Sequence, residues 1–96
     1  MTADTGNVKK ALVAFAIERA LLEIGKPALE KVTKRLYEDY HHHLSDCYEN
    51  PEILSKVLKD LYGNSYTAIV QSIKKELEDF SDQKPIKAFL KVISQQ

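Results

Sequence analysis

Apolar residues in this chain recur three and four positions apart, the interval that lines one face of a helix. Leu29, Val32, Leu36 and Tyr40 form one such stripe, and Leu54, Val57, Leu58 and Leu61 form a second. Tyr66, Ile69, Val70, Ile73, Leu77 and Phe80 make a third, and Ile86, Phe89, Leu90 and Ile93 a fourth. No segment alternates apolar with polar residues long enough to predict a strand. The marks between the stripes are those of helix ends: Gly25-Lys26-Pro27, Asn50-Pro51 and Gly63-Asn64-Ser65. Glycine suits the residue just past a helix, and proline suits the first turn. Gly25 is therefore expected in the left-handed conformation, and Lys26, which precedes a proline, outside the helical region. Helices are predicted over 7–24, 27–42, 51–62, 65–80 and 85–94, with Asn7, Asn50 and Asn64 or Ser65 as caps. Residues 1–6 read as a frayed tail and 41–50 as a loop. The fold class is all-α: one domain, a compact bundle of four main helices plus a short C-terminal fifth.

The first helix departs from this pattern. Ala11-Leu12-Val13-Ala14-Phe15-Ala16-Ile17 is apolar in every direction around the axis, where a surface helix shows one stripe. Either this helix lies at the centre of the bundle, or its second face is covered by another molecule. Leu12, Val13, Phe15, Ala16 and Ile17 are the candidate interaction surface, and a homodimer or a protein partner is the expected occupant.

Composition narrows the function classes. Apolar residues are 44% and charged residues 29% of the 96, a globular balance rather than a disordered one. Fourteen Lys and Arg face fourteen Asp and Glu. A net charge of zero argues against binding nucleic acid, or an anionic membrane, by bulk electrostatics. The longest apolar run, Ala11–Ile17, is far too short to span a bilayer, and the first residues lack a signal-peptide pattern. The one cysteine, Cys47, cannot form an internal disulfide. A soluble cytoplasmic protein is the expectation.

Candidate chemistry is sparse. His41, His42 and His43 with Asp46 and Cys47 are the only cluster of metal-ligand types. Consecutive helical residues point about 100° apart, so the three imidazoles cannot converge on one ion unless the backbone unwinds. The plain alternative is a solvated helix end, and no cofactor is expected. Cys47 with His43 could form a nucleophile–base pair, but Asp46 beside the thiol would raise its pKa. Glycines at 6, 25 and 63 are too scattered for a phosphate loop, and no acid–base constellation suggests an enzyme. Of the five tyrosines, Tyr37 and Tyr48 fall off the apolar stripes and are expected to be exposed. The third and fourth helices, joined at Gly63, also admit a helix-turn-helix reading with Thr67, Gln71, Lys74 and Lys75 on the reading face. Glu76, Glu78 and Asp79 on the same helix oppose it.

One resemblance rests on these residues. Glu23-Ile24-Gly25-Lys26-Pro27, Leu36-Tyr37, Asn50-Pro51-Glu52-Ile53-Leu54 and Val57-Leu58-Lys59-Asp60-Leu61-Tyr62-Gly63 precede the Ile69–Leu77 helix. Over roughly residues 12–80 the chain resembles the small archaeal all-helical family of Nitrosopumilus-type output domains. The resemblance implies a module of an archaeal signalling or regulatory system, with no assigned enzymatic activity and no catalytic residues. The leading expectation is a non-enzymatic interaction or output module that self-associates through the first helix. The alternatives are a helix-turn-helix DNA-binding regulator and a small-ligand or metal sensor.

Overall fold

Five α-helices follow in order in the computed structural model, which describes residues 5–95: α1 (Thr5–Ile24), α2 (Lys26–Tyr40), α3 (Pro51–Tyr62), α4 (Tyr66–Glu76) and α5 (Lys84–Ser94). Three short 3-10 turns join them, at Leu44–Tyr48, Gly63–Ser65 and Glu78–Phe80. Among the described residues there is no strand, and the all-α class predicted from the stripes is the class observed. Of the expected tail, residues 1–4 lie outside the described residues, and residues 5 and 6 open α1. Asn7 is therefore inside the helix rather than at its cap. A cap preference is worth about 1 kcal/mol, too little to fix the start of a helix anchored by core residues further along.

Each predicted stripe supplies the core. Val32 and Leu36 of α2, Leu54, Val57 and Leu58 of α3, and Ile69, Val70 and Ile73 of α4 are buried. All four apolar residues of the α5 stripe are buried as well, so α5 closes the bundle instead of decorating it. α1 packs against α2, α4 and the 44–48 turn, while α3 packs against α2 and α5.

The punctuation works differently in detail from the expectation. Gly25 sits at φ 152°, ψ 158°, a region outside the left-handed helix and essentially open to glycine alone. Its N–H donates to the Leu21 carbonyl (3.1 Å) and its carbonyl accepts from Ala28 (3.0 Å). One residue thus ends α1 and starts α2, and Lys26 is the first residue of α2 instead of lying in the break. The left-handed cap occurs at the other end of α2, at His41 (φ 56°, ψ 34°), whose N–H donates to the Tyr37 carbonyl at 2.9 Å. Asn50 precedes α3, but its amide turns back to the Asp46 carbonyl (3.1 Å) and gives α3 no side-chain cap. Ser65 likewise makes no capping bond to α4.

Two segments depart from the predicted element type. The expected loop 41–50 contains the Leu44–Tyr48 turn, which lies along α1 and buries Cys47. α4 ends at Glu76, four residues early, and Phe80 is carried by a 3-10 turn whose N–H donates to the Leu77 carbonyl (2.9 Å).

Candidate interaction surface

α1 carries two apolar faces. Val13, Ala16, Ile17, Ala20 and Leu21 are buried and form the inner one. Val8, Phe15 and Leu22 are 64%, 55% and 45% exposed and form the outer one. Residues seven apart on a helix drift by only about 20°, so these three lie on a nearly straight line about 21 Å long. At about 100° per residue, that line falls on the side of α1 opposite the core face. Ala11 beside it is exposed, and Leu12 at its edge is half-buried against the core.

The candidate surface is corrected accordingly. Val13, Ala16 and Ile17 have at most 2% exposure and cannot meet a partner, whereas Phe15 and the edge of Leu12 can. A continuous run such as residues 12–17 cannot share one helix face, because each step rotates the side chain by about 100°. Val8 and Leu22, which the sequence reading left out, complete the surface. Their seven-residue spacing from Phe15 was the available signal.

Polar contacts border this stripe on the α4 side. The Arg19 guanidinium stands 5.6 Å from the Phe15 ring centroid, and its Nε donates to Glu76 Oε1 at 3.1 Å. Ser72 donates to Glu23 Oε1 at 3.3 Å. Below that bond, Glu23, Ile24, Tyr62, Ala68 and Ile69 line a hollow of about 420 Å³. The Tyr62 hydroxyl is buried without a hydrogen-bond partner among the described residues, and burial pushes its pKa up.

The histidines fan apart. His41 and His43 both pack on Tyr37, each with centroids 5.8 Å away, while His42 stacks on Tyr40 at 6.3 Å. Tyr37 is exposed as expected, but Tyr48 is half-buried against the core. The main-chain N–H of His43 donates to Asp46 Oδ2 (2.8 Å), which holds the Asp46 carboxyl below its ordinary pKa. Cys47 is 1% exposed, and its thiol points to the main-chain oxygen of His43 at 4.0 Å. Burial, and then the Asp46 charge, push that thiol up to about 12. Among the described residues no three His, Cys, Asp or Glu side chains come together as metal ligands. Cys47 is a core residue here, and the His41, His42 and His43 rings are held by tyrosines.

Thr67, Gln71, Lys74 and Lys75 are all exposed on α4. Of the three carboxylates expected on the same helix, Glu76 turns toward Arg19 of α1, and Glu78 and Asp79 lie beyond the end of α4. No helix among the described residues is long and apolar enough to cross a membrane. No family model, no curated protein and no solved structure matches this chain.

Proposed function

We propose that this chain is a non-enzymatic protein–protein interaction module of the cytoplasm that works as a homodimer through the outer face of α1. The carrying observation is the exposed Val8–Phe15–Leu22 line, set opposite a core face that is already satisfied. Burying such a line removes apolar surface from water at about 25 cal/mol per Å². A second copy is the occupant the pattern favours. Phe15 stands midway between Val8 and Leu22, so an antiparallel two-fold contact puts Phe15 on Phe15 and Val8 on Leu22 at both ends. This is the self-complementarity that a two-fold interface requires. Zero net charge adds no long-range repulsion between copies. One helix face is small against the roughly 800 Å² per partner of a standard interface, so the dimer belongs to the weak, transient class. The resemblance supplies the setting, an output module of an archaeal regulatory system whose activity is switched by association.

Sedimentation velocity from about 5 to 500 µM tests the proposal, a range chosen for micromolar dissociation constants. A concentration-dependent dimer is expected, and Phe15→Asp, which puts two carboxylates on the two-fold axis, abolishes it without changing the unfolding curve. A wild-type chain that stays monomeric throughout overturns it.

A further inference from the structure

A second surface, independent of the α1 reading, lies between α4 and α5. The two helices run antiparallel: a short connection joins Glu76 to Lys84, and at the far end Tyr66 Oη donates to the Gln95 carbonyl at 3.0 Å. Outside this contact runs a groove. Lys74, Ser81, Lys87, Leu90, Lys91 and Ser94 line its widest part, about 480 Å³. It continues along α4 past Gln71 toward Thr67, with Lys74 lining every section. Its walls are two ridges at helical spacing, 67, 71 and 74 on α4 and 87, 91 and 94 on α5. Seven residues of helix rise about 10 Å, so the groove accommodates two turns of a third helix laid between the ridges.

Its chemistry specifies what that helix must carry. Leu90, only 7% exposed, and the aliphatic stems of the lysines form an apolar floor. Lys74, Lys87 and Lys91 form the rim, and none of them has a carboxylate within ion-pair distance among the described residues. Glu78, at the end beside the connection, is the one acidic residue in the lining. In a chain of zero net charge, four lysines around one groove, Lys74, Lys75, Lys87 and Lys91, none in an ion pair among the described residues, are a local segregation rather than a general basic background. Nucleic acid fits less well. The floor is apolar, and the nearby Tyr66 ring is buried beneath the Lys59 ammonium (5.2 Å), so it offers no stacking platform.

We propose that the α4–α5 groove is a docking site for an acidic amphipathic helix of a partner protein, its apolar face on Leu90 and its carboxylates on Lys74, Lys87 and Lys91. The probe is a synthetic helical peptide of about 14 residues, roughly twice the groove's length, with leucines three and four apart and glutamates elsewhere. Its controls are the same peptide with lysines for glutamates, and a short DNA duplex. Titration into the isotope-labelled chain is expected to give saturable shifts at Gln71, Lys74, Lys87, Leu90, Lys91 and Ser94 with the acidic peptide. A K74E/K87E variant, folded by its circular dichroism melt, binds it about tenfold or more weakly, a loss of about 1.4 kcal/mol. The inference is overturned if the acidic peptide gives no saturable shift up to about 1 mM, or shifts other residues. It is equally overturned if the lysine peptide binds as well, if K74E/K87E binds unchanged, or if duplex DNA binds these residues more tightly.

Discussion

Replacing Cys47 by alanine tests whether the thiol is a sealed core group or a reactive one. Its pKa is raised from 9.0 to about 12, first by burial and then by Asp46. A raised pKa on a group that becomes anionic has a definite sign. Below pH 9 both folded and unfolded chains hold the proton, and the shift costs nothing. As pH rises above 9 the unfolded chain ionises while the folded chain does not, so stability falls by about 1.4 kcal/mol per pH unit. At about pH 10.5, midway between the two pKa values, the loss attributable to Cys47 is about 2 kcal/mol. The assay is urea unfolding at about pH 8 and pH 10.5 for both chains, under reductant. Alanine leaves a small void and lowers stability at both pH values, so the readout is the difference in pH dependence rather than stability itself. Every other group is common to the two proteins, so its contribution cancels in the comparison. Parallel pH profiles would show that the thiol is not sealed, and rapid labelling by a thiol reagent at neutral pH would show the same.

Three further outcomes follow from the packing of the helices. Tyr62→Phe is expected to stabilise the chain by about 1 kcal/mol, since it deletes a buried hydroxyl that has no partner among the described residues; a lower midpoint in thermal unfolding would mean that the hydroxyl is satisfied. Ile17→Ala, at 0% exposure, should cost about 2–5 kcal/mol of stability. Phe15→Ala, on the opposite face, should cost well under about 1 kcal/mol in dilute solution, and equal losses would contradict the two-faced reading of α1. His41→Gly relieves the one non-glycine residue at positive φ among the described residues and should gain about 0.5–1 kcal/mol, read by urea midpoint.

The four stripes from Leu29 to Ile93 were legible because each has one buried side, and one-sided burial leaves a period in the sequence. The segment 41–50 reads as a loop, and what that reading omits is the Leu44–Tyr48 3-10 turn. Tyr40, Leu44, Cys47 and Tyr48 continue the helical interval at four, seven and eight residues, and all four reach the core. Three histidines and a left-handed turn interrupt the helix between them, so the interval survives while the helix does not. The end of α4 differs from the predicted helix to residue 80 because spacing was the only guide. Leu77 and Phe80 keep a three-residue spacing that an α-helix and a 3-10 turn both satisfy, and spacing alone does not separate them.

α1 shows where the limit of periodicity lies. A periodic signal measures asymmetry around the axis, and two apolar stripes on opposite sides cancel it. The sequence therefore showed that α1 is apolar on more than one side, while leaving open which residues face inward. Contiguity was the wrong guide to the outer surface, because it selected Val13, Ala16 and Ile17 from the core together with Phe15. The seven-residue interval from Val8 through Phe15 to Leu22 separates the faces, since it returns to nearly the same angle at each step. No neighbouring element of the bundle covers that line enough to bury it: Phe15 keeps more than half of its surface even with Arg19 across its ring. An inner face that fills the core and an outer face at regular spacing are separate demands on one helix. Folding accounts for the first, and the proposed association between two copies would account for the second.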